Sequence, residues 1–143
     1  MRATAIVGFS AAVLAIAALF SRGELFARQP LLIAAQALAF ALMVWARVTF
    51  GRRSFHAGAV PTDGELVSTG PYRYWRHPIY AAIIYFVVAT ALDHRHLTTL
   101  ALALVVIIGL ALRMRAEEHF LRSRYSGYRQ YAARTSRIIP GLL

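Results

Sequence analysis

Long apolar runs alternate with short polar breaks along this chain, and their lengths predict helices. Residues 3–20 form the first run, bracketed by Arg2 and Arg22, and it is long enough to span a bilayer. A secretory signal is the rival reading, because Arg2 supplies a charged start and Ala15-Ile16-Ala17 a loosely suitable cleavage site. The run exceeds the usual signal core and more apolar runs follow, so the spanning reading is preferred. The second run, residues 30–50, opens with Pro30 in the tolerated first turn and closes on the aromatic anchors Trp45 and Phe50. Arg47 falls in its last turn, where it can snorkel to the interface. Residues 51–70 are polar, with Gly58, Pro61 and Asp63-Gly64 as turn signals, and read as a loop.

A third run, 78–92, and a fourth, 97–112, are separated only by Asp93-His94-Arg95-His96. At ~1.5 Å per residue each falls short of the ~30 Å hydrocarbon core. Adding residues 72–77 to one and 113–116 to the other brings both to spanning length. So short a connector requires an antiparallel helical hairpin. The fold expected is all-α: an integral membrane helical bundle with about four transmembrane helices and a cytoplasmic carboxyl-terminal helix. It is read as a single domain over 1–143. Two membrane helices occupy 1–50, a loop 51–77, the hairpin 78–112, and a helix and tail 113–143.

Orientation follows from arginine. An inside amino terminus puts twelve arginines inside (Arg2, Arg52, Arg53, Arg73, Arg76 and the seven from Arg113 onward). Three fall outside, Arg22, Arg28 and Arg95, with Arg47 near the inner boundary. The positive-inside rule therefore sets both termini in the cytoplasm. The expected place is a bacterial inner membrane, crossed several times.

Composition agrees. Apolar residues make up 59% of the chain and charged residues 15%, well below the usual quarter. All sixteen basic residues are Arg, against six acidic ones, for a net charge of +10. Nucleic-acid readers carry a basic stripe on a soluble fold. Here Arg clusters at the ends of apolar runs, so anionic membrane lipids are the partner and nucleic acid is not. Without Cys, thiolate chemistry and disulfides are excluded.

The densest polar segment is Gly70-Pro71-Tyr72-Arg73-Tyr74-Trp75-Arg76-His77-Pro78-Ile79-Tyr80. Such groups are costly at the mouth of a membrane helix, which makes a binding site the first hypothesis. Pro78 suits a first helical turn and pushes His77 toward extended backbone. Free N–H groups near Ile79 and Tyr80 would then face His77, Arg76 and Arg73, a setting for a carboxylate or phosphate. Taken alone, the segment reads better as an interfacial anchor of Arg, Tyr and Trp.

The carboxyl-terminal region supplies the complement. Leu110, Met114, Glu117, Leu121, Tyr125 and Tyr128 recur at helical spacing and predict one face of a continuous helix. Glu117 and Glu118 are the chain's only adjacent acidic pair. Pairing of Glu117 with Arg113, and of Glu118 with Arg115 or Arg122, would be ordinary solvated decoration. That does not explain a carboxylate on an apolar face. The inferred topology puts the pair on the side of the Arg-His-Pro segment, and a zwitterionic ligand would use both. Tyr128 and Tyr131, one turn apart, could cover an apolar ring such as adenine. The plainer reading of this end is an amphipathic helix on the membrane surface.

Leu66-Val67-Ser68-Thr69-Gly70-Pro71-Tyr72-Arg73, Arg76-His77-Pro78-Ile79-Tyr80, Glu117-Glu118, Tyr128-x-x-Tyr131 and Ile139-Pro140, in that order, closely resemble the isoprenylcysteine carboxyl methyltransferase family. The wider group with membrane phospholipid N-methyltransferases is similar. The resemblance covers roughly the second half of the chain. It implies an integral membrane enzyme that uses S-adenosylmethionine near the cytoplasmic face, with the acceptor arriving from the bilayer. Carried over, His77, Pro78 and Tyr80 would bind cofactor, with Arg76, Tyr128 and Tyr131 beside them and Glu117 and Glu118 lining the same pocket. Arg134 and Arg137, and more weakly Arg73, would orient an anionic acceptor as catalytic residues. Two departures stand out. Ala82 occupies a position that is often Gly in the family, and the chain lacks the extra amino-terminal helices of the animal enzymes. The second departure puts prenylated-protein recognition in doubt, and the nature of the acceptor with it.

Methyl transfer from a sulfonium is an in-line displacement whose leaving group the cofactor has already activated. The protein's tasks are alignment and exclusion of water, and no metal is expected. His94 and His96 fall on the opposite membrane face from His77 and form no metal constellation with it. The expected activity is methylation of a lipophilic acceptor, with a carboxylate or thiol ahead of a phospholipid amine. The rival of another class is a non-catalytic four-helix protein that binds anionic lipids.

Overall fold

The structure, a computed structural model, describes residues 2–51 and 66–141. The turn signals at Gly58, Pro61 and Asp63-Gly64, and Arg52 and Arg53, lie outside the described residues. Among those described are five α-helices: α1 (Arg2–Ser21), α2 (Pro30–Phe50), α3 (Pro78–His94), α4 (Leu97–Arg124) and α5 (Tyr128–Arg134). A 3-10 turn, Gly70–Arg73, precedes α3. Three helices are long and apolar enough to cross a membrane, over Ala3–Ser21, Pro30–Phe50 and Leu97–Arg124.

Each helix stops for a local reason. α1 ends in a Schellman motif: Gly23 takes φ +67°, its N–H bonds Phe20 O at 2.9 Å, and Glu24 N–H bonds Leu19 O at 3.0 Å. α2 and α3 both begin on a proline at the position where a missing N–H costs nothing. α3 closes on Arg95 in the left-handed region, which leaves only Arg95 and His96 before α4.

The helices pack in the spatial order α2, α3, α4, α1, each antiparallel to its neighbour. The shared core holds Ala12 and Ala15 from α1, Ile84 and Val87 from α3, and Val106, Leu110 and Met114 from α4. The α1–α4 crossing is so close that a Cβ on Gly109 would lie 2.2 Å from Gly8 O. Small residues let the two backbones touch, a mode of packing common in membranes. Gly8 thus serves packing within the chain. Large apolar side chains such as Leu14, Leu31, Leu38 and Phe40 point outward instead, as a lipid solvent requires.

Two expectations change. The third helix does not extend through residues 72–77: it starts at Pro78 and has 17 residues, about 25 Å. Gly70 at φ +56° turns the chain against Thr49 at the end of α2, so the motif folds back instead of lengthening the helix. Nor is the helix continuous to Tyr128. α4 runs unbroken for 28 residues to Arg124, then Tyr125 is extended and α5 starts after Ser126-Gly127, two poor helix formers. About 20 residues cross a hydrocarbon core, so a span starting at Leu97 reaches the interface near Glu117.

Candidate functional site

The Arg-His-Pro segment is held from two sides. From the carboxyl-terminal side, Ser136 pairs with Trp75 as a short parallel bridge: Arg76 N–H donates to Ser136 O at 2.7 Å and Ser136 N–H to Tyr74 O at 3.0 Å. The Arg76 guanidinium donates to Ala132 O at 3.0 Å, and the Tyr131 hydroxyl to Tyr72 O at 2.8 Å. Tyr85, on α3, accepts from Trp75 Nε1 at 3.2 Å and donates to Ile138 O. From the other side, Phe50 packs on Tyr72 with ring centroids 5.3 Å apart. The segment and the tail are therefore one unit set on the bundle end.

That unit brings the motif to the acidic pair. Tyr80 donates its hydroxyl to Glu117 Oε1 at 2.6 Å, and Arg113 Nε donates to the same Glu117 oxygen at 3.0 Å and to Tyr80 Oη at 2.6 Å. Glu117 Oε2 lies 3.7 Å from His77 Nδ1, and the His77 and Tyr80 rings stack at 5.7 Å. Glu118 is buried more deeply than Glu117 and gathers Arg and His nitrogens. Arg137 holds both its oxygens at 2.9 Å, with Arg122 at 3.5 Å, Arg76 Nε at 3.7 Å and His77 Nε2 at 3.4 Å. The last two contacts are not hydrogen bonds: among the described residues, Arg76 Nε, His77 Nε2 and the Tyr128 hydroxyl are buried with no hydrogen-bond partner. Buried polar atoms are seldom left so, and each calls for an explanation.

The electrostatics follow. The hydrogen bond from Arg137 to Glu118 raises the guanidinium's already high pKa. Burial, and then the Glu118 charge, push the Tyr128 phenol up to about 12, and burial raises Tyr131 and Tyr72 as well. All three phenols stay neutral hydrogen-bonding groups across the physiological range.

The sequence-named residues fall into two places. His77, Tyr80, Arg76, Glu117 and Glu118 come together, with Pro78 buried at the start of α3 and Tyr128 buried against Tyr131 at 6.0 Å. Arg73, Arg76, Arg134 and Arg137 line an adjoining open cleft of about 610 Å³ beside Pro140. Arg76 and Arg137 are shared, since both also reach Glu118. Ala82 is buried in the bundle. His94 sits at the far end, bonded to Phe26 O at 3.0 Å. Two contributors were not singled out from sequence. Tyr85 gives no signal beyond another aromatic in an apolar run. Arg113 was visible four residues before Glu117, but that spacing also describes a surface pair; its burial sets it apart.

Known proteins give this geometry a setting. A family profile described as phospholipid methyltransferase matches residues 29–127. Among curated relatives, the nickel-cobalt-cadmium resistance protein NccN of Alcaligenes xylosoxydans xylosoxydans is 34% identical over 54% of this chain and 37% of its own length. The cobalt-zinc-cadmium resistance protein CzcN of Cupriavidus metallidurans is 32% identical over 56% of this chain and 38% of its own. The matches thus span less than two fifths of either relative. No solved structure matches the chain. Because the profile covers more than half of it, including the Arg-His-Pro segment and both glutamates, the chain belongs to the phospholipid methyltransferase family.

Proposed function

We propose that this protein is a membrane methyltransferase that uses S-adenosylmethionine to methylate a lipophilic acceptor. The observation that carries the reading is a set of buried polar atoms that make no hydrogen bond among the described residues, gathered beside two carboxylates: Arg76 Nε, His77 Nε2 and Tyr128 Oη next to Glu117 and Glu118. S-adenosylmethionine pairs a carboxylate with an ammonium, ribose hydroxyls and an adenine, so it demands donors and anions within one small volume. The donor set here suits it: the Arg76 guanidinium, the His77 ring and the Tyr128 hydroxyl as donors, and the carboxylates of Glu117 and Glu118 as acceptors. Pro78, Tyr80 and Tyr131 hold these groups in place. When bound, the cofactor supplies a methyl group activated by a positively charged sulfur.

The chain's own residues would bind, orient and keep water out. The cleft of Arg73, Arg134 and Arg137 would attract an anionic group on the acceptor. A carboxylate or thiolate needs no strong base, and the cleft's chemistry favours the first of these. A phospholipid amine is the second reading, favoured by the family profile, and its phosphate would suit the same arginines. Both termini would face the cytoplasm by the arginine count.

Titration calorimetry of the purified, folded protein with S-adenosylmethionine tests the reading. Absence of binding would leave a helical membrane protein whose Arg-rich end binds anionic lipid. A labelled-methyl assay against total membrane lipids and small thiols, with mass spectrometry of the product, then separates the acceptors. Glu117→Ala should abolish cofactor binding and leave membrane insertion intact.

A further inference from the structure

We infer that Arg113 is a positioning residue for Glu117, and that α1 takes part in the site by holding Arg113 through Phe9. The inference rests on the methyltransferase reading for the identity of the ligand, and on geometry for the rest.

Arg113 is only 4% exposed, which is rare for an arginine and tolerated only where its donors and charge are met. Its Nε–H reaches both Tyr80 Oη and Glu117 Oε1, while the Tyr80 hydroxyl reaches that same carboxylate oxygen. Two donors therefore hold Oε1. The other oxygen, Oε2, is left turned toward His77, 3.7 Å from its Nδ1. A glutamate gripped on one oxygen presents the second in a fixed direction, which is the use of a positioned anion in a binding site.

The guanidinium is itself fixed. Its carbon lies 4.2 Å from the centre of the Phe9 ring and 5.9 Å from that of Tyr80, whose hydroxyl takes its Nε–H. Phe9 follows Gly8, and Gly8 touches Gly109, one helical turn before Arg113. The backbone contact between the two glycines thus sets the distance from Phe9 to Arg113. α1 lies outside the stretch matched by the family profile, yet it supplies this wall of the site. A planar cation on an aromatic face resists rotation and loses little to solvation, properties that lysine reproduces poorly.

The test compares S-adenosylmethionine affinity by calorimetry in wild type, Arg113→Met, Arg113→Lys, Glu117→Gln, the Arg113→Met/Glu117→Gln double variant and Phe9→Leu. Helicity and monodispersity are checked for each. If Arg113 acts through Glu117, Arg113→Met and Glu117→Gln each weaken binding by about tenfold or more, and the double variant is no weaker than the worse single one. Arg113→Lys recovers part of the loss, and Phe9→Leu weakens binding in the same direction by a smaller factor. Where Arg113→Met does not fold, Arg113→Lys and Phe9→Leu against Glu117→Gln give the same comparison. Wild-type affinity in folded Arg113 variants, or losses that simply add in the double variant, would overturn the positioning role while the methyltransferase reading stands. No binding by wild type would overturn that reading and this inference with it.

Discussion

Arg137 grips Glu118 with two parallel hydrogen bonds, Nε to Oε1 and Nη2 to Oε2, both 2.9 Å. The pair ties the carboxyl-terminal tail to α4. Its ends differ, since the Glu118 side chain is 3% exposed and that of Arg137 42%. Arg137→Ala should therefore cost only about 1–2 kcal/mol, because solvent screens the cation and Arg76, Arg122 and His77 remain near the carboxylate. Glu118→Ala should cost about 3–5 kcal/mol, because it strips a buried anion from several cations at once. Thermal unfolding in detergent measures both, and equal losses would contradict the asymmetry.

The α1–α4 crossing makes an ordered prediction. A Cβ on Gly109 would meet Gly8 O at 2.2 Å, and a Cβ on Gly8 would meet Gly109 O at 2.8 Å. Backbone atoms cannot swing aside, so the helices must separate, at a cost of about 1–3 kcal/mol or more. Gly109→Ala should lower the unfolding midpoint more than Gly8→Ala. Midpoints in the reverse order would count against the crossing.

At the opposite end, Glu24 accepts hydrogen bonds from Arg22, at 2.9 Å to Oε1, and from the Thr99 hydroxyl. These bonds, that of Arg22 first, lower its pKa to about 2 from an ordinary 4.5. A carboxylate with a depressed folded-state pKa stabilises the protein fully above its unfolded value and loses that contribution as pH falls toward the folded one. The difference in melting temperature between wild type and Glu24→Gln should thus be constant from pH 7 down to about 5 and shrink toward zero near pH 2. A difference independent of pH would show that the carboxylate's charge contributes nothing.

Gln36 is buried between α2, α3 and the α1–α2 connection. Its amide donates to Leu25 O at 3.1 Å and Thr90 Oγ1 at 2.9 Å and accepts from Ala27 N–H at 2.9 Å. Gln36→Leu leaves the Ala27 N–H without its acceptor and should destabilise by about 1–3 kcal/mol despite the gain in hydrophobicity. A stabilised variant in the same unfolding assay would mean that this amide is dispensable.

Much of this was legible along the chain. Apolar runs of spanning length, Pro30 and Pro78 at first turns, the tight hairpin and the company of Glu117-Glu118 with the Arg-His-Pro segment all arise from local chemistry. That chemistry acts over one helical turn or one bilayer thickness, and sequence spacing records it. The break at Tyr125 was missed because apolar periodicity carried through Ser126-Gly127, where backbone preference overrode it. The extension of α3 was missed because length alone does not register the turn that Gly70 makes against Thr49.

The sequence by itself determined the helical class, the proline-marked helix starts and the two halves of the site, since each depends on residues close in the chain. Only the tertiary structure decided that Glu118 is the buried carboxylate and Glu117 the directed one, and that Arg113 belongs to the site. It also decided that α1 lies beside α4 and not beside α2. The physical reason is that burial of a charge depends on what packs over it. What packs over Arg113 is Phe9, more than a hundred residues earlier in the chain, brought there by two glycines that let α1 and α4 touch.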